Sequence, residues 1–386
     1  MLTRRQIISL GATTLVVAPT AGTLLHDRFA MQTARSPWAV DTDSLPDPRL
    51  KALAYAILAP SPHNRQPWRV ALEGDDTVTV WPDLDRLLPQ TDPLNRQITI
   101  GLGAMIEQFK IAATLTGHIA RVEWLVASSA DRPLDNAPIA RLTLAASTSV
   151  ASDNLAPWML ARRTHRQPYA LDRSIPDAAL NALVASVSRP ATSAGTTSEL
   201  STVSAIKEIC PASWLTESNT ARPHNESVQL TRIAAGEVAA NPDGISLGGP
   251  LFRALRIVGV MTREKMAEPD SFAYDSSQDF YSALIDATNT FGWITTEHND
   301  RLAQLHAGAA WLRWHLTATK LGIAIQPLSQ ALQEFPEMRT HYAAIHRQLT
   351  NNTAATVQGL FRLGYADVPP PSPRWPLSAV LMKTDA

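Results

Sequence analysis

The 386-residue chain contains one cysteine, Cys210. That excludes an intramolecular disulfide framework and a multi-cysteine metal cluster. Charged residues are scarce, at 18% against about 25% in a typical globular protein. Basic residues number 34 and acidic residues 35, for a net charge of −1, whereas nucleic-acid binders carry a basic excess. On reading, no apolar run reaches the roughly 18–20 residues that span a bilayer. No His-Glu-x-x-His or Cys-x-x-Cys spacing occurs, and His341 and His346 fit no ligand pattern, so no metal is expected. What is present is a 45% hydrophobic fraction, enough for a large core. The length implies two domains or two fused halves.

The start, Thr3-Arg4-Arg5-Gln6-Ile7-Ile8-Ser9-Leu10, is followed by a mild apolar run to about Val17 and then by small residues. A paired-arginine head before a weak apolar segment is the pattern of a twin-arginine export signal. The expectation is an exported, periplasmic or extracytoplasmic protein that meets the twin-arginine translocation machinery, with residues 1–35 as signal and linker outside the fold.

Beyond it, 69–72 and 77–81 read as a hairpin around Glu73-Gly74-Asp75-Asp76. A helix is expected over 101–117, with Met105, Phe109 and Ala112 on one face, closed by Gly117. Strands are expected at 122–126 and 139–144, a helix at 155–166, and another opening at Pro176. The Ser/Thr/Ala/Gly-rich stretch 188–204 reads as a loop, and 211–249 as either a lid or a surface meander. Strands are expected at 256–262, 291–296 and 355–365. Leu302, Leu305, Ala309, Leu312 and Leu316 mark an amphipathic helix ending at Gly322, with Trp311 and Trp314 as core residues. Elements mixed without a βαβ rhythm indicate an α+β class.

Gly103, Ala104, Ala113, Thr114 and Gly117 match Gly308, Ala309, Ala318, Thr319 and Gly322 at a constant offset of 205. Helix composition alone could supply the alanines, but the matching closing glycines favour a duplication. The chain is then a covalent pseudo-dimer, monomeric in that sense, with halves at 36–150 and 151–386 and an inserted segment near 190–250.

Three segments could carry chemistry. Pro60-Ser61-Pro62-His63-Asn64-Arg65-Gln66-Pro67-Trp68 concentrates hydrogen-bonding side chains between prolines, as a planar polar ligand would require. Turn capping by Ser61 and Asn64 is a simple structural reading but does not by itself require that concentration. Arg162-Arg163-Thr164-His165-Arg166 places three guanidinium groups and a hydroxyl within five residues, suited to phosphate or to a solvated helix face. Arg374 lies in a proline-bounded stretch near the C-terminus. Gly244-Ile245-Ser246-Leu247-Gly248 fits a nucleophile elbow, but Asn241-Pro242-Asp243 is a turn signal where that motif needs a strand, so a hydrolase is disfavoured.

Together these segments resemble the FMN-dependent nitroreductase family. The Pro60-Ser61…Asn64…Gln66-Pro67-Trp68 loop, the Arg162-Arg163-Thr164-x-Arg166 segment and Gly364-Tyr365 followed by Pro373-Arg374-Trp375-Pro376-Leu377 carry the likeness. With Asp92-Pro93-Leu94-Asn95-Arg96 and the twin-arginine start, it narrows to an exported branch with two fused nitroreductase-like halves. The resemblance implies a nitroreductase-like α+β fold and one complete FMN site shared between halves. Arg162, Arg163, Thr164, Arg166 and Arg374 would hold the phosphate and ribityl end. Ser61, Pro62 and Asn64 would contact the ring, with His63 and Gln66 at its edge, and Pro327 and Leu328 would lie beside N5. Thr164 in place of the commoner Ser, Trp375 at a position often basic, and the lack of an acidic residue in 326–329 depart from the family pattern.

No catalytic side chain is implied, since the chemistry belongs to the flavin. The implied activity is hydride transfer through flavin N5 from a donor such as NAD(P)H to a nitroaromatic, quinone or related small-molecule acceptor. The alternative is an exported protein that binds or sequesters flavin with little turnover, because nicotinamide donors are cytoplasmic and the unmatched insertion could cover the ring.

Overall fold

A computed structural model describes residues 21–126, 129–187, 191–350, 352 and 354–382. The twin-arginine stretch lies outside the described residues. The first half opens with helix α1 (Ala21–Arg35) and helix α2 (Pro48–Ala56), the latter capped by Asp47, whose carboxylate accepts from Arg49 N–H. Strands β1 (Trp68–Glu73) and β2 (Thr77–Pro82) form the expected hairpin. Helix α3 (Arg96–Ala113) follows, then β3 (His118–Trp124) and β4 (Ala140–Ala146).

The second half repeats this series. It runs through α4 (Asp177–Ala185), β5 (Thr192–Thr197), an insertion, β8 (Thr290–Thr296), α11 (Arg301–Lys320), β9 (Ala324–Pro327) and β10 (Thr356–Gly364). The first sheet has the order β1-β2-β4-β3 and the second β5-β8-β10-β9. In each half the first, second, fourth and third strands are neighbours, all antiparallel. The fold is α+β and internally duplicated.

Helices α3 and α11 cross at the centre and carry the pseudo-symmetry. A Cβ on Gly103 would lie 2.1 Å from the Leu305 carbonyl oxygen, and one on Gly308 would lie 1.9 Å from that of Ile100. Position 100 matches 305 and 103 matches 308, so the contact is reciprocal, as a two-fold axis demands. Arg96 and Arg301, each the first residue of its helix, reach into the opposite half. Arg96 donates to the carbonyls of Val357 and Leu332, and Arg301 to those of Leu94 and Arg132. Gly117 and Gly322 close the two helical segments at φ 72° and 69°, a left-handed conformation that glycine adopts without steric cost.

The interior differs from the sequence reading in instructive ways. The span Arg96–Thr116 is long and apolar enough to cross a membrane, with a mean hydropathy of 1.3, which corrects the expectation that no such run exists. It is mostly buried because α2 and α11 cover it. The last fifteen residues of the stretch set aside as signal and linker form α1, which is tied in by an Asp27–Arg253 ion pair and by Arg374 N–H to the Ala34 carbonyl. The expected helix at 155–166 is only the turn Ala156–Trp158 followed by an irregular strap. That strap docks through His165 N–H to Ile325 and Ala170 N–H to Tyr365.

The loop expected over 188–204 contains edge strand β5, whose small residues make room for the Trp293 ring: a Cβ on Gly195 would lie 2.3 Å from it. The expected strand at 256–262 does not form: helix α8 (Pro250–Ile257) runs into a turn there, because Phe252 and Leu255, three residues apart, pack on a small cluster with Ile233 and Met261. Trp314 is fully buried and Trp311 nearly so, both against Phe361, as expected of core residues.

The insertion is larger than expected, extending from 200 to 286, and is mainly helical. It comprises α5 (Leu200–Asn219), α6 (Ala221–Gln229), the short parallel pair β6 (Thr231–Ile233) and β7 (Ile245–Leu247), α7 (Ala235–Ala240), α8, α9 (Arg263–Ala267) and α10 (Phe272–Asp286). Ser246 lies inside β7, so no nucleophile elbow forms. Finally, α12 (Arg339–Leu349) leads to β10, and the C-terminal segment returns to the first half, where Val70 N–H bonds Val380 and Met382 N–H bonds Val70.

Candidate functional site

The loop after α2 is held in a costly conformation. His63, Asn64 and Gln66 all have positive φ, at 47°, 53° and 51°. Each costs on the order of 1 kcal/mol or more for a non-glycine residue, so other bonds must impose it. Ser61 Oγ accepts from Gln66 N–H at 2.9 Å. Asn64 donates to the Pro373 carbonyl at 3.0 Å and accepts from Arg374 Nη1 at 2.5 Å. Gln66 accepts from Trp375 N–H and donates to the carbonyls of Asn64 and Pro242. The polar groups of Ser61, Asn64 and Gln66 are thus engaged in shaping the loop and joining it to the C-terminal segment and the insertion. Pro62 packs on Gly101 of α3, where a Cβ would come within 3.1 Å of its Cδ.

The arginine segment meets the back of this loop. Arg162 Nη2 donates to the Leu58 carbonyl at 2.9 Å, and Arg374 Nη2 donates to those of Leu58 and Ala59. Arg162, Arg163 and Arg374 all lie within 6 Å of the Trp38 ring, at 5.7, 4.7 and 5.4 Å from its centre. Trp38 and the nearby Arg35 lie outside the segments singled out in the sequence; the Arg35-Ser36-Pro37-Trp38 run at the end of α1 is the signal that marks them.

Among the described residues no carboxylate pairs with Arg162, Arg163, Arg166 or Arg374. The Nε atoms of Arg162, Arg163 and Arg374, together with that of Arg35, are buried and lack a hydrogen-bond partner. Burial, and then the Arg163 charge, push the Arg162 guanidinium down to about 9. Burial followed by the charges of Arg162 and Arg163 lowers Arg374 well below its ordinary value. Arg163 is lowered by burial and by Arg35. A buried charge without a counter-charge costs several kcal/mol, so the buried Arg162 and Arg374, with the half-buried Arg163 and the exposed Arg166 beside them, amount to a site for an anion.

Thr164 and Arg166 make no side-chain hydrogen bond among the described residues, and Arg166 is exposed at the edge of the group. Arg166 lies close enough to His63 for its charge to act on that ring, joining the loop of one half to the arginines of the other. Arg362, from β10, fixes the strap by donating to the carbonyls of His165 and Gln167 and to Gln326 Oε1 on β9. That places Pro327 one residue from the anchored Gln326. Leu328 has a buried side chain in a separate cluster, and its N–H bonds the Leu360 carbonyl at 2.7 Å.

The insertion covers the same loop. Arg65 pairs with Asp243, which also holds Arg232. Glu226 accepts from the N–H groups of Gln90 and Thr91 and from the Thr91 hydroxyl. His63 Nε2 lies 3.2 Å from Ser227 Oγ. Two open surface recesses, of about 280 and 530 Å³, contain none of the expected site residues. Cys210 is buried, its thiol pushed up to about 12 by desolvation, which removes it as a nucleophile. No group of three or more metal-ligating side chains occurs among the described residues.

No protein-family model matches the chain. Over 362 residues it is 28% identical to "Putative NAD(P)H nitroreductase acg" of Mycobacterium tuberculosis strain H37Rv, covering 88% of this chain and 97% of that protein. It is 25% identical over 334 residues to a second such protein of that strain, Rv3131, covering 85% and 89%. The chain therefore has full-length homologues among proteins named nitroreductases, and its duplicated α+β fold is nitroreductase-like. Among solved structures it overlays a nitroreductase of Anabaena variabilis at 12% identity and TM-score 0.45, covering 83% of this chain and 88% of that one. It also overlays the FMN- and NADPH-dependent NfnB of a Sphigopyxis strain at 15% identity and TM-score 0.37, covering 61% and 100%.

Proposed function

We propose that the chain is an FMN-dependent oxidoreductase of nitroreductase type. The observation that supports this most directly is the group of guanidiniums with no carboxylate partner, behind a strained loop contributed by the other half. A terminal phosphate supplies the missing negative charge and accepts paired N–H bonds. Arg162, Arg163 and Arg166 would hold it, with Thr164 near the ribityl chain, while Arg374 acts mainly by clamping the loop through Leu58, Ala59 and Asn64. Pro62 and His63 would face the ring. When bound, the flavin supplies hydride chemistry at N5. The chain's residues position it, exclude water and present fixed dipoles. NAD(P)H as donor is the reading that the names of the relatives favour, and export through the twin-arginine route remains part of the proposal.

Purified protein titrated with riboflavin 5′-phosphate tests the cofactor; a colourless protein that takes up none overturns it. Anaerobic mixing of the loaded protein with NADPH and with NADH tests turnover. A second reading, flavin retention with little reductase activity, is favoured by the bonds from Ser227, Pro242 and Asp243 that lay the insertion over the loop. Rapid bleaching of the flavin band supports the enzyme, and lasting colour with both donors supports retention.

A further inference from the structure

His63 is linked to two residues of the insertion by a hydrogen-bonded chain whose direction can be read. Glu217, buried on α5, accepts from Ser227 Oγ at 3.0 Å through one oxygen and from Gln333 Nε2 at 2.9 Å through the other. Burial raises the Glu217 pKa while the bonds from Gln333 and Ser227 lower it; with the carboxylate ionised, the Ser227 hydrogen is committed to Glu217. Only its lone pairs remain for His63, so the imidazole nitrogen 3.2 Å away must be the donor. His63 is held neutral: burial lowers its pKa to about 4, and the charges of Arg166 and Arg65 act in the same direction. A neutral imidazole with its hydrogen on Nε2 has an acceptor at Nδ1. That nitrogen makes no hydrogen bond among the described residues, and His63 keeps accessible surface.

We propose that Ser227 and Glu217 are positioning residues that fix the tautomer of His63, so that Nδ1 is presented as a hydrogen-bond acceptor to the occupant of the site. The occupant this selects is a planar heterocycle with a ring N–H donor of imide type. The tautomer assignment stands without any ligand; the identity of that ligand rests on the flavin reading above.

The tautomer is measured on flavin-free full-length protein labelled with ¹⁵N-histidine, with the His63 signals assigned by their loss in His63→Gln. Wild type is expected to carry the hydrogen on Nε2. Ser227→Ala is expected to give a mixture of tautomers, and Ser227→Thr, which keeps the hydroxyl, to restore the single form. A wild-type hydrogen on Nδ1, or an unchanged tautomer in Ser227→Ala, overturns the proposal. The acceptor role is measured by comparing FMN with its N3-methyl derivative, which lacks the imide hydrogen. Methylation is expected to weaken binding to wild type about tenfold, the worth of roughly one hydrogen bond, and to weaken it less in His63→Gln. Equal affinities in wild type reject the acceptor role. If neither flavin binds, the reading of the site falls, and the tautomer result still decides the relay.

Discussion

Gly103 and Gly308 face each other's helix across the centre of the molecule, each so close to the opposing backbone that a side chain has no room. The positions are 205 apart, and each is opposed by the residue equivalent to the other's partner. This contact makes two halves of one chain behave as the subunits of a two-fold dimer, and it sets where the loop of one half meets the arginines of the other.

Gly103→Ala and Gly308→Ala should each destabilise the fold by about 3 kcal/mol or more, since the obstacle is backbone and not a movable side chain. The double variant should cost less than the sum, because one displacement of the helices relieves both clashes. Denaturant midpoints of the three variants check this.

Arg162 and Arg374 are both buried, at 2% and 3% exposure, but should respond differently to removal. Arg162→Met removes an uncompensated charge and should leave the flavin-free protein about as stable as wild type. Its FMN binding should weaken about 10–100-fold, the range of a charged hydrogen bond. Arg374→Ala should cost about 2 kcal/mol or more of stability before any ligand is added, because the Ala59 and Asn64 acceptors lose their donor while Leu58 keeps only Arg162. Thermal unfolding and FMN titration separate the two.

His346 offers a pH signature away from the site. Its Nε2 accepts from Val357 N–H at 3.0 Å and its Nδ1 donates to the Tyr342 carbonyl. Burial, and then the Arg96 charge, lower its pKa to about 4 against a partial offset from Tyr342. A folded-state pKa below the unfolded value near 6.5 means that the unfolded chain binds more protons between them. The His346 contribution is thus fully present above about 6.5 and is lost as pH falls towards about 4. The stability gap between wild type and His346→Leu, measured by urea denaturation at pH 7.5 and at pH 4, should shrink at the lower pH.

Glu226 is the most direct fastening of the insertion to the first half, with three bonds to Gln90 and Thr91. Glu226→Ala should raise amide exchange in 221–229 and at residues 90 and 91 by tenfold or more, leaving the α3–α11 crossing protected. Hydrogen exchange followed by mass spectrometry reads both regions at once.

Local signals were legible where local physics decides them. The 68–82 hairpin, the two central helices and their closing glycines follow from alternation, helical spacing and turn residues. The 155–166 segment was not, because a turn-sized helical pattern lost to docking on β9 and β10 through long-range backbone bonds. Strand β5 was hidden because its Ser, Ala, Gly and Thr suit a loop as well as they suit a place beside a tryptophan ring. In the site, the residue types in the proline-flanked loop were visible, but the division of labour was not. Asn64 and Gln66 hold the loop, and only the folded chain shows that Arg374 and Trp375 are what they hold it to.

By itself the sequence determined the α+β class, the repeated helices and the two polar segments, since each is encoded within a few turns of chain. Tertiary structure alone decided that these segments meet across a pseudo-two-fold crossing, that residues 21–35 belong to the fold, and that the insertion reaches His63 through Ser227. The reason is distance along the chain: partners such as Ser227 and His63, 164 residues apart, leave no periodic trace in a linear pattern, and only packing brings them within bonding range.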